Sequence, residues 1–147
     1  MKIPQYITVA EVRRVCKELK IRDWTRIKDP KVSLKEAKII LAQVNTRGMD
    51  IDPKAFCAGL EVELEHGMMF RDANVTNNHP LLTGLIVLAH LKESLDYYSL
   101  LEVAELEGDL LRAVVRGQTK KIKAYYARLA QARIALRKTE LARLEGK

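Results

Sequence analysis

Apolar residues recur at three- and four-residue intervals along most of the chain, the spacing of helices that bury one face. Val9, Val12, Val15 and Leu19 follow Thr8, and Glu11 stands three residues after that threonine, the pattern of a capping box. Ser33 and Glu36 repeat the arrangement ahead of Ala37, Ile40, Leu41 and Val44, with Gly48 as a stop. The two segments align as a weak echo, short of a repeat. Between them, Arg22 to Pro30 reads as a connector with Trp24 and Ile27 tucked beneath it. Asp52-Pro53 predicts a third helix start, an acceptor side chain followed by proline at the first helical position. That helix is expected to run to about His66 and to end at Gly67. A loop rich in Asp and Asn follows (Asp72, Asn74, Asn77, Asn78), long enough to be functional or held by the body. His79-Pro80 opens a long helix expected to reach Leu106, and a last helical stretch runs from about Asp109 to Glu145, interrupted at Gly117-Gln118.

No segment alternates with period two. The pattern predicts an all-α protein, a compact bundle of five or six helices with a long basic C-terminal helix. Its expected organisation is an N-terminal helical extension over residues 1–32, a helical core over 33–108 and the basic helix over 109–147.

Composition narrows the class. A chain of 147 residues holds one ordinary domain, and 48% hydrophobic with 31% charged residues excludes a disordered polyampholyte. The longest apolar run, Leu81 to Leu91, is broken by Thr83, Gly84 and His90 and is too short to span a bilayer. The N-terminus carries no apolar leader region, and Cys16 and Cys57 lack paired spacing, so a cytoplasmic protein without a disulfide framework is expected.

The net charge of +7 is uneven. From Leu110 onward eleven basic residues face only Glu140 and Glu145, whereas residues 1–109 carry 15 basic and 17 acidic groups. Ile122, Leu129 and Leu136 keep a seven-residue interval in this tail, although Arg133 and Glu140 interrupt the alternate seam. A single apolar stripe with basic flanks suits packing on a sister subunit, lying on nucleic acid or resting on an anionic surface. Lys120, Lys121, Lys123, Arg128, Arg133, Arg137 and Lys138 are the expected partner surface. They would touch phosphates without reading bases, because the tail offers only Tyr125 and Tyr126 for stacking.

The helix opened by Pro80 is apolar nearly all round, as a buried central helix is, so its few polar residues carry information. Thr83, His90 and Tyr97 lie seven apart on one stripe, with Glu93 about 60° to the side. The preceding helix ends in Glu63-Leu64-Glu65-His66, an E-x-x-H pair of the kind found in carboxylate metal sites of helical bundles. If the two helices pack antiparallel, Glu63, His66, His90 and Glu93 form a set for one divalent transition metal. The alternative is a buried polar network in which Glu63 or Glu65 answers His90, with Thr83 and Tyr97 completing it. No nucleophile elbow, phosphate-cradling loop or dinucleotide fingerprint is present.

Glu63-Leu64-Glu65-His66-Gly67, Asn74-Val75-Thr76-Asn77, Pro80-Leu81-Leu82-Thr83-Gly84, Ala89-His90-Leu91-Lys92-Glu93 and Asp96-Tyr97-Tyr98 stand in this order. Together they resemble a domain-of-unknown-function family of small bacterial and phage proteins, over roughly residues 33–106. The chain departs from that family's pattern at His79, where an aspartate is usual, and at Leu85, where a lysine is usual. The resemblance implies that the loop and the Glu/His/Tyr cluster form one unit, and it implies no activity. The expected function is a non-enzymatic intracellular interaction or assembly module, such as a particle-associated structural subunit, acting as a homo-oligomer or on an acidic partner. The alternatives are a metal-binding protein, an enzyme included, and a nonspecific nucleic-acid binder.

Overall fold

A computed structural model describes residues 7–146. Among them are six α-helices and a 3₁₀ turn: α1 Val9–Glu18, the turn Trp24–Arg26, α2 Leu34–Val44, α3 Pro53–Met69, α4 Pro80–Glu93, α5 Tyr97–Val115 and α6 Thr119–Leu144. The protein is all-α, and no helix among the described residues is long and apolar enough to cross a membrane. It divides into two compact units, Met1–Leu95 and Asp96–Lys147.

In the first unit, side-chain caps set where helices begin. Thr8 Oγ1 accepts the Glu11 amide at 3.2 Å, and Asp52 Oδ1 accepts the Lys54 amide at 3.0 Å. At α2 the capping box is complete: Ser33 Oγ accepts the Glu36 amide at 3.2 Å and Glu36 Oε2 accepts the Ser33 amide at 3.0 Å. His79 caps α4 with its ring, Nδ1 accepting the Leu82 amide at 3.3 Å. A neutral imidazole thus does what an aspartate would do at this position. α1 closes in a Schellman turn, with Ile21 N–H on Cys16 C=O and Lys20 N–H on Lys17 C=O. Lys20 takes the left-handed conformation that such a turn requires, at φ 54°.

The three helices α2, α3 and α4 pack on one another, and α1 packs on the 3₁₀ turn and α4. Their shared core is Val12, Trp24, Ala37, Ile40, Phe56, Leu60, Leu64, Val87 and Leu91. Gly84 sets how closely α2 and α4 approach: a Cβ there would lie 2.7 Å from Ile40 Cγ2.

Two expected boundaries move. Gly67 does not end α3, which continues to Met69. The long helix expected from Pro80 to Leu106 is two helices, separated where Ser94 is extended at φ −154°. Tyr97 therefore does not share a helical stripe with Thr83 and His90. It belongs to the second unit.

That second unit is an antiparallel hairpin of α5 and α6. Gly117, at φ 62°, ends α5 in another Schellman turn, Gln118 N–H reaching Ala113 C=O and Gly117 N–H reaching Val114 C=O. Residues from Asp109 to Val115 lie in α5, and the basic helix starts at Thr119. The buried seam is Leu106 and Ala113 against Leu129 and Leu136, widened by half-buried Leu110, Ile122, Tyr125 and Ala132. The seam of α6 thus alternates onto Tyr125 and Ala132, while Arg133 stands one residue outside it. Arg143 Nη1 meets Asp96 Oδ2 at 2.7 Å and joins the open ends of the hairpin.

Candidate functional site

α3 and α4 bring part of the expected cluster together. His90 is half-buried, its side chain 31% exposed, and stands between two carboxylates. Glu63 Oε1 is 3.8 Å from Nε2 and Glu93 Oε2 is 3.9 Å from Nδ1. Both separations exceed direct hydrogen-bond length. Glu63 is the carboxylate on the α3 side, whereas Glu65 is exposed. His66 is exposed too, and its ring lies 6.4 Å from that of Phe70. With Glu63, His66 lines a hollow of about 170 Å³ closed by Asn74, Val75, Thr76 and Ile86. Thr83 is buried in α4. Tyr97, in the other unit, meets Tyr98 edge-on at 5.2 Å between ring centres. Among the described residues no group of three or more His, Cys, Asp or Glu side chains could hold a metal ion.

The loop between α3 and α4 is fastened by its own amides. Asn74 Nδ2 donates to Gly67 C=O at 2.9 Å and to Asn78 Oδ1 at 2.8 Å. Thr76 Oγ1 donates to Asn74 Oδ1 and accepts from Asn78 N–H. Asn77 and Asn78 both adopt positive φ, at 50° and 58°, which asparagine tolerates better than most residues. Asn77 Nδ2 reaches across to the Ile7 carbonyl at 2.6 Å. Gly67 is needed beneath this loop, since a Cβ there would lie 2.3 Å from Asn78 Oδ1.

The strongest electrostatic feature of the first unit is Glu36, which the sequence presents only as a capping residue. Its carboxylate is 5% exposed and accepts from Arg22 Nε at 3.0 Å, the Arg22 amide, the Ser33 amide and the Ser33 hydroxyl. Burial pushes its pKa up, but these donors more than offset that and hold it at about 2. Burial also raises both thiols, Cys16 and Cys57, which leaves them protonated at neutral pH and fits their place in the packing.

On α6 the expected basic residues are all exposed. Two of the seven are paired: Arg133 with Glu107 and Arg137 with Glu140, each at 2.6 Å. Lys120, Lys121, Lys123, Arg128 and Lys138 make no ion pair with a described residue. Ile134 and Leu141 lie among these cations, and with Arg133, Arg137 and Lys138 they line an open hollow of about 340 Å³.

The chain is all-helical, and α3 and α4 carry its fastened Asn loop and its Glu/His pairing. It belongs to the family described as proteins of unknown function, DUF5661, which it matches over residues 12–107. The match takes in most of α1, so it begins well before the expected start at residue 33, and it stops within α5. No curated protein and no solved structure matches the chain.

Proposed function

We propose that the chain is a non-enzymatic helical interaction module whose α5–α6 hairpin attaches it to a larger assembly, with the outer face of α6 receiving an acidic, amphipathic partner helix. The observation that carries this reading is the pairing of exposed Ile134 and Leu141 with Arg133, Arg137 and Lys138 around one shallow hollow. Isolated cations need no explanation, but two large aliphatic residues one helical repeat apart among them offer a helix-in-groove contact. Nucleic acid would use the cations and leave the aliphatic pair in water.

Fluorescence anisotropy distinguishes the two partners. The probes are a labelled acidic peptide with leucines at helical spacing and a DNA duplex of similar charge. At near-physiological salt the peptide is expected to bind more tightly, and Ile134→Ser with Leu141→Ser to weaken it about tenfold while helical content is unchanged. DNA binding as tight as that of the peptide, indifferent to the two aliphatic residues, would replace this reading with a nonspecific nucleic-acid contact.

A further inference from the structure

Trp24 is 1% exposed, and its buried indole Nε1 meets no hydrogen-bond acceptor among the described residues. A buried N–H normally has a partner, because one left unanswered forfeits the bond that water gives it in the unfolded chain. Trp24 also forms part of the wall of a hollow of about 300 Å³. That hollow lies within the first unit, between the start of α1, the 3₁₀ turn, the last turns of α3 and the Asn loop.

The rest of the wall says what would answer the indole. Arg71 lines the hollow, is exposed and makes no ion pair with a described residue, and no carboxylate lines the hollow beside it. Asn78 uses its side-chain oxygen to accept from Asn74, which leaves its amide nitrogen as a further donor. One unpaired cation, two uncommitted N–H donors and no acid favour an anion rich in acceptors. A single cation among neutral donors matches one carboxylate better than a dianionic phosphate. Val9, Ile27 and Met68 give the same hollow an apolar side, and its volume is at the lower end of the range of small-molecule sites.

We infer that this hollow is a binding site for a small carboxylate with an apolar body. The carboxylate accepts from Trp24 Nε1 and from the Arg71 guanidinium, and the body lies on Val9, Ile27 and Met68. The inference is independent of the contact surface on α6, which belongs to the other unit.

Because the chain has one tryptophan, a proton–nitrogen correlation spectrum of the full chain contains one indole N–H signal, and that signal reports the site directly. Benzoate is the probe, and benzamide, of the same shape without the charge, is the control. Benzoate is expected to move the indole signal downfield and to saturate in the millimolar range or below, with benzamide at least about tenfold weaker. Arg71→Gln alters an exposed side chain, so its circular dichroism should match the wild type while its affinity for benzoate falls about tenfold. Val9→Ser, which leaves the charge in place, should weaken benzoate by about threefold through the apolar side alone. An indole signal that benzoate does not move saturably overturns the inference. So does equal affinity for benzamide, or an affinity that Arg71→Gln leaves unchanged. A nuclear Overhauser contact from the indole N–H to a long-lived water that benzoate does not displace gives the acceptor role to buried solvent, and overturns the inference as well.

Discussion

Replacing Glu36 by glutamine keeps the shape of the side chain and removes its charge, in a place where Arg22 and Ser33 together direct several donors at the two oxygens. The amide nitrogen of glutamine would face some of those donors with hydrogens of its own. A carboxyl group with a folded pKa of about 2 against 4.5 unfolded stabilises the fold by about 3 kcal/mol above the unfolded value. Because the folded pKa is depressed, this contribution is complete above pH 4.5 and is lost as pH falls toward 2. Roughly 2 kcal/mol of it is gone by about pH 3. The chain has one tryptophan, Trp24, buried in the same unit, so its fluorescence in urea reports this unit without interference. Glu36→Gln is expected to cost about 3 kcal/mol at pH 7 and about 1 kcal/mol at pH 3. An equal cost at both pH values, or a cost below about 0.5 kcal/mol at pH 7, would show that the buried carboxylate does not anchor the start of α2.

Four other outcomes follow from the geometry. Gly67→Ala would gain about 1 kcal/mol from helix propensity alone, but the overlap with Asn78 and Asn74 reverses the sign to a net loss of about 1–3 kcal/mol in urea unfolding; a gain would mean the loop is not held against α3. Lys20→Gly should raise stability by about 1 kcal/mol, since glycine takes the left-handed turn at φ 54° without strain; thermal melts that show no rise would contradict this. Burial lowers the pKa of His79 below 6.5, so stability decreases as pH falls below that value toward the lower, folded one; His79→Asp, which keeps a capping acceptor, should flatten the profile below pH 6.5. Arg143→Ala leaves the Asp96 carboxylate without its guanidinium and should cost the hairpin about 2 kcal/mol, seen as faster amide exchange in the last turns of α6.

The starts of α1 to α4 were legible because each rests on a local side chain. Thr8, Ser33 and Asp52 cap the helices that their sequence positions predict. Helix ends were less so. Gly67 reads as a stop, yet it is a helical residue retained for the close approach of the Asn74–Asn78 loop, a contact no local pattern reveals. The break between α4 and α5 carries no glycine or proline, and Asp96 at its end is paired with Arg143, 47 residues away. The pairing of Glu63 with His90 follows from an E-x-x-H segment and an antiparallel neighbour. That Tyr97 opens a separate helix follows from the unseen break after Glu93. Glu36 was visible as a cap, but its partnership with Arg22 across 14 residues was not.

The Schellman turn at Gly117 has a kinetic consequence. Every contact between α5 and α6 lies across that one short reversal, so pairs can close in sequence like a zip, the nearest in the chain first. Glu107 and Arg133, 26 residues apart, come together after the turn, and Asp96 and Arg143 last. Each step encloses only a slightly longer stretch of chain than the one before, which keeps the entropic barrier low and makes this hairpin a fast-folding element.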